Sequence, residues 1–191
     1  MKILSIDQSM AGCAAVILDG EVPVFRDVIR TTSGANPKPW QKTFDTIDHQ
    51  MIYIADSLWD MSQSFQVEHM VMESLSLGSI GDQTRNLAGL FHVIRTTFLR
   101  NGFKHANMHT IAPTSVKSWA RQWLPIDEQH DGVKKDGKPK LVVMKKPQMV
   151  RACEVLCPEV LEGYKNSGQF SGREDLSDAY LIGRFKIEQL R

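Results

Sequence analysis

Asp7, Glu73 and the pair Asp175 and Asp178 each stand at the end of a predicted core element, where an acid has no structural job. A carboxylate left near a core costs several kcal/mol unless a cation or a donor satisfies it. Hard oxygen ligands arriving from separate elements are what Mg²⁺ or Mn²⁺ requires. The fold to look for is therefore one in which these four carboxylates meet around metal ions.

The order of elements narrows that search. Strand patterns run over Lys2–Asp7, Cys13–Leu18 and about Val22–Thr31, with turns marked by Gly12 and Asp19-Gly20. The last is a strong hairpin signal, so the chain opens as an antiparallel meander. Trp40, Phe44, Ile47, Met51, Ile54, Leu58, Met61 and Phe65 then recur at alternating steps of four and three, one apolar helical stripe. Val67–Glu73 reads as a buried strand, and the Ser/Gly-rich stretch Leu75–Gly81 as a loop. A helix over Asp82–Arg100 ends at Asn101-Gly102. A short strand Met108–Ala112 precedes a helix from Pro113 to about Trp123, and two more helices cover about Pro147–Cys157 and Glu174–Leu190. A meander followed by alternating helix and strand predicts an α/β fold with a mixed sheet covered on both faces.

At 191 residues the chain suits one domain, 1–191, with a real core. No apolar run reaches membrane-spanning length, and the chain opens on a strand rather than a secretory signal, so no membrane association is expected. Three cysteines, Cys13, Cys153 and Cys157, show no disulfide rhythm; they fit a reducing cytoplasm and read as buried structural thiols rather than zinc ligands. The net charge of +1 says little about nucleic acid. Its distribution says more: Gly132–Arg151 holds six lysines and one arginine against Asp136 alone. That stretch is either a solvated, flexible basic loop, spanning about 124–146, or a phosphate-binding patch.

If the strands ending in Asp7 and Glu73 are parallel neighbours, their ends converge on one edge of the sheet, where ligand sites in such sheets lie. Asp175 and Asp178 share one face of a helix start, a placement that capping alone would also explain. The joint arrangement favours a two-metal site that activates a water and stabilises the leaving oxygen of a phosphodiester, with no His or Ser nucleophile.

Ile3-Leu4-Ser5-Ile6-Asp7-Gln8-Ser9 with Gly12 resembles the opening strand and turn of RuvC-type Holliday junction resolvases, whose Asp-Pro-Gly is here Asp7-Gln8-Ser9. Val71-Met72-Glu73-Ser74 resembles their second acidic strand, and Asp175-Leu176-Ser177-Asp178-Ala179 their closing Asp-x-x-Asp-Ala helix. Val116-Lys117-Ser118 resembles the segment after the fifth strand, and Lys146-Pro147-Gln148-Met149-Val150 the one after the basic loop. Each motif is weak alone; the ordered set, from end to end, is strong.

The resemblance implies an RNase H-like fold with a five-stranded sheet and a homodimer that nicks four-way DNA junctions in pairs. It implies Asp7, Glu73, Asp175 and Asp178 as ligands of two Mg²⁺ ions, which Mn²⁺ replaces. Lys117 and Lys146, with Lys145 as an alternative, fall to the scissile or neighbouring phosphate. Gln83, Arg85 and Asn86, at the start of the second helix, read either as junction contacts or as an exposed polar face. Ser76 sits near the position of the family's stacking aromatic, between Leu75 and Leu77, so a looser selectivity for branched DNA is compatible. Ser74 and Ser79 read as loop caps or phosphate contacts, and Arg173 as a phosphate contact or a partner of Glu174. The rival readings are a monomeric ribonuclease on RNA/DNA hybrids and a non-catalytic DNA-binding module. A sugar-kinase-like fold would need a second domain and a glycine-rich phosphate turn.

Overall fold

The structure, a computed structural model, describes residues 1–75, 81–133 and 135–191. The chain opens with β1 (Lys2–Asp7), β2 (Gly12–Asp19) and β3 (Val22–Thr32), an antiparallel meander. Gly20 sits at φ +57° in the two-residue turn between β2 and β3, a left-handed conformation open to a residue without Cβ. A two-residue strand, β4 (Lys42–Thr43), leads into α1 (Ile47–Ser64); β5 (His69–Glu73), α2 (Asp82–Arg100), β6 (Met108–Ile111) and α3 (Pro113–Ala120) follow. The hairpin β7 (His130–Val133) and β8 (Pro139–Leu141) precedes α4 (Lys146–Leu156) and α5 (Arg173–Leu190).

The main sheet runs β4-β3-β2-β1-β5-β6, with β5 parallel to β1 and to β6. It therefore has six strands among the described residues, not the five expected. The extra strand is β4, which pairs in parallel with the end of β3 and lies inside the stretch whose period predicts helix. Trp40 and Phe44 fit that period but precede the helix. Pro37 and Pro39 disfavour helix here, and Thr46 caps α1, its hydroxyl accepting the His49 N–H at 3.2 Å. Phe44 still lies against α1, its ring 5.1 Å from that of Tyr53 between centroids. The helix expected to reach about Trp123 ends at Ala120 and gives way to a single turn at Arg121–Trp123; the basic stretch then holds a turn at Ile126–Glu128 and the β7–β8 hairpin, where a plain loop was expected.

Side chains alternate across the sheet. Leu4 and Ile6 of β1, with Met70 and Met72 of β5, face α1 and α2. Ile3 and Val71 face α3, α4 and α5, and alternation puts Ser5, Asp7 and Glu73 on that same side. Each fully buried Ile or Leu in these layers contributes roughly 1.5–3 kcal/mol. Cys13, Cys153 and Cys157 are buried free thiols, and burial pushes Cys13 up to about 12.

Helix α5 lies unusually close to β1 and β2. A Cβ at Gly183 would stand 2.7 Å from Leu18 Cδ1 and 2.8 Å from Ser5 Cβ, so only glycine allows the approach. Ser5 Oγ uses it to donate to Ala179 O at 2.5 Å. Together these contacts hang the first turns of α5 over the end of β1. Among the described residues, no helix is long and apolar enough to cross a membrane.

Candidate active site

Ile6 pairs with Met72 in the parallel β1–β5 register. Asp7 and Glu73 follow on the next step of each strand, side by side at one sheet edge and on the α5 side. Gln8 holds this edge together, its Nε2 donating to Glu73 O at 2.9 Å. From above, α5 supplies Asp175 and Asp178, one turn apart. Gly172 starts that helix with no side-chain cap, so neither aspartate is used as one. A Cβ on Gly12 would lie 3.5 Å from Asp175 Oδ2, which puts the start of β2 against the same carboxylate.

Two lysines face the acids. Lys146, first residue of α4, reaches Glu174 at 3.0 Å and Asp175 Oδ1 at 3.7 Å. Burial works against its charge, but the hydrogen bond to Glu174 and the field of Asp175 outweigh this and hold its ammonium above the usual value. Lys117, exposed on α3, is the cation opposing the upward shift of Glu73 and acts on Asp178 as well.

The electrostatics of the four carboxylates agree in sign. Asp7 keeps some exposed surface, yet burial pushes it well above the usual carboxylate range, with Asp178, Glu73 and Asp175 adding to the effect. Asp178 is pushed up to about 7, by burial first and then by Glu73. Glu73 and Asp175 are raised by burial, with Lys117 opposing at the first and Lys146 at the second. Asp178 Oδ1 is buried with no hydrogen-bond partner. Among the described residues no group of three or more His, Cys, Asp or Glu side chains is arranged to hold a metal ion as it stands. The chemistry of the donor set nonetheless fits a divalent cation: hard oxygens, mutual repulsion and an orphaned carboxylate oxygen. Bringing the carboxylates inward is what a cation would favour and what their own repulsion opposes.

The other residues singled out from the sequence fall into three groups. Lys145 caps α4 through its backbone N–H, which donates to Gln148 Oε1 at 3.2 Å, and its side chain is exposed; Lys146 is the one that faces the acids. Arg85 is exposed on α2 and engages Asp82 at 3.6 Å, and it is not among the cations acting on the carboxylates. Its neighbour Asn86 borders a cleft with Gln8 and Ser9 beside β1. Arg173 pairs with Glu154 at 2.5 Å, not with Glu174, which Lys146 occupies. Ser76, Ser79 and the side chain of Gln83 lie outside the described residues.

Sequence reasoning missed three residues at this site. Gln8 replaces the proline of the family turn, and that departure was its signal. Ser5 positions α5, which no local pattern reveals. Arg30 of β3 pairs in register with Gly12. Its guanidinium donates to Val28 O at 3.0 Å and to Ser171 O, and its charge acts on Asp175.

No known protein-family profile matches this sequence, and no curated protein does. Solved structures do. The Thermus thermophilus RuvC structure superposes with a TM-score of 0.61 at 11% identity, over 99% of this chain and 97% of that one. T. thermophilus RuvC in complex with Holliday junction substrate gives 0.60 at 10% identity, over 97% and 94%. The yeast mitochondrial Holliday junction resolvase Ydc2 gives 0.59 at 13% identity, over 99% and 84%. The chain thus has the RuvC-type, RNase H-like fold over nearly all of its length.

Proposed function

We propose that this chain is a divalent-cation-dependent endonuclease that resolves branched DNA, four-way junctions first among its substrates, by paired nicks made within a homodimer. The observation that carries the reading is the gathering of Asp7, Glu73, Asp175 and Asp178 with Lys117 and Lys146 at one edge of a RuvC-type sheet. One of the solved RuvC structures of this fold holds a Holliday junction substrate.

Asp7, Glu73, Asp175 and Asp178 would hold two Mg²⁺ ions, or Mn²⁺, which supply an activated water and a stabilised leaving oxygen when bound. The protein's own groups do the rest. Gln8 locks the ends of β1 and β5 so that Asp7 and Glu73 stay adjacent. Lys146 and Lys117 offer ammonium groups to phosphate oxygens, the charge-assisted contacts that orient a phosphodiester. Lys146 exchanges its bonds to Glu174 and Asp175 for phosphate readily, because the pairs are partly exposed and weak.

The test is cleavage of a mobile four-way junction with Mg²⁺, beside a three-way junction, a flap and an RNA/DNA hybrid. Symmetric paired nicks in the four-way junction are expected, and cutting of the flap as well would mark a broad branch nuclease. Cleavage of the hybrid alone would replace the proposal with a ribonuclease.

A further inference from the structure

Beside the acids, a cleft of about 200 Å³ opens between the start of β2, the end of β3 and the turn Lys38–Gln41, lined by Gly12, Arg30, Lys38, Trp40, Gln41 and Asp175. Asp175 belongs to both this cleft and the carboxylate cluster, so the two are continuous. The volume lies below the roughly 300–1,000 Å³ of pockets that enclose drug-sized ligands, and suits one nucleotide unit rather than a duplex.

Three observations say what the cleft takes. Trp40 is half-buried but joins neither hydrophobic core, whereas Trp59, Trp119 and Trp123 all pack against one. Its turn is nonetheless firmly built: Gln41 N–H donates to Lys38 O at 3.0 Å, Gln41 Oε1 accepts from Lys38 N–H at 3.1 Å, and Gln41 Nε2 donates to Thr31 O at 3.3 Å. Pro37 and Pro39 stiffen it further. An indole held at the surface by a rigid turn, and not needed for packing, offers a free ring face. Lys38 Nζ stands 5.8 Å from the centre of that ring. Arg30 is pinned by Val28 O and Ser171 O and lies 5.8 Å from the Tyr164 ring, and its buried Nε–H has no partner. An aromatic ring with one cation beside it and a second lining the same cleft are the elements of a single-strand site: charge for the backbone, stacking for the base.

We propose that this cleft is a nucleotide subsite that holds one unstacked nucleotide flanking the cut, its phosphate between Arg30 and Lys38 and its base on Trp40. The position of the cut rests on the endonuclease reading above. A branch point provides unstacked bases at little energetic cost, whereas a paired duplex does not. The subsite therefore selects for branched or frayed strands, a selectivity the acidic cluster cannot supply by itself.

The test measures binding of a four-way junction and of a fully paired duplex of the same sequence to the whole protein without metal, across a salt series. Wild type is compared with Trp40→Ala, Trp40→Phe and Lys38→Ala; Arg30 is left intact because it also tethers Ser171. Cleavage by each protein with Mg²⁺ is measured alongside. Trp40→Ala is expected to weaken junction binding by about five- to a hundredfold, the range of one base–aromatic stack, with duplex binding unchanged and Trp40→Phe restoring most of the loss. Lys38→Ala is expected to flatten the dependence of log K on log salt by roughly 0.7–0.9, which a purely structural lysine would not do. Junction binding as tight as wild type in Trp40→Ala, with an unchanged salt slope in Lys38→Ala, overturns the subsite. If wild type cuts junctions while that happens, the endonuclease reading stands without the subsite. If wild type cuts nothing but the binding effects appear, the subsite stands and the endonuclease reading falls.

Discussion

Glu68 and Glu73 flank the same strand, one just before β5 and the other at its end, yet their environments are opposite. Glu68 accepts the Lys2 backbone N–H at 2.8 Å and lies 3.6 Å from the terminal ammonium; that backbone bond, with the ammonium's field, holds its carboxyl below the usual range. Glu73 is raised by burial, and among the charged groups of the described residues only Lys117 offsets it. The contrast repeats across the sheet, where Asp19 lies 3.6 Å from the terminal ammonium while Asp7 sits among three other acids. One end of the sheet satisfies its acids with its own donors and cations. The other concentrates acids and leaves them under-compensated, a loss of stability that a bound cation would reverse.

The largest effect that would break this contrast is on cleavage. Asp7→Asn or Asp178→Asn is expected to lower the single-turnover rate at least about a thousandfold, the loss of several kcal/mol of charge stabilisation. DNA binding should stay intact or tighten, because a charge that repels phosphate is gone. Glu68→Gln, at the satisfied end, should leave the rate near wild type. Equal losses at both ends would remove the distinction.

The lysines give the next effect. Lys146→Ala is expected to cut the rate by roughly 10²-fold, within the range for one positioned donor, and to change affinity far less. An unchanged rate would return Lys146 to a plain partner of Glu174.

The smallest effect is on stability without metal. The folded value of Asp178, about 7, lies above the ordinary carboxylate value of about 3.9. The stability tied to its proton is present below pH ~4 and lost as pH rises through 7. Metal-free Asp178→Asn should therefore melt above wild type at pH 8, by roughly 2–4 °C per kcal/mol relieved, with the difference shrinking towards pH 4. Melting curves in a chelator at both pH values check it, and a lower melting point for the variant at pH 8 would contradict it.

Much of this was legible in the sequence because it is local. Alternation and the Asp19-Gly20 turn mark β1 to β3, and Asn101-Gly102 marks the end of α2. The edge shared by Asp7 and Glu73 followed once β1 and β5 were taken as parallel neighbours. What was not legible depends on partners far away in the chain. β4 exists only because the end of β3 pairs with it. Arg173 chooses Glu154 over its neighbour because the folding of α4 beside α5 puts that acid in reach. Trp40 fits a helical period, and the capping of α1 at Thr46, with β4 before it, places it in a separate turn.

The central claim is that the four carboxylates together bind divalent cations. Its most direct test is calorimetric titration of Mn²⁺ into the metal-free protein at pH 7, in two buffers of different ionisation heat. Binding is expected to release protons from wild type, since a cation favours the charged carboxylates, with both affinity and proton release reduced in Asp7→Asn and Asp178→Asn. Binding that is absent, or that both variants leave unchanged in strength and proton release, would contradict the account.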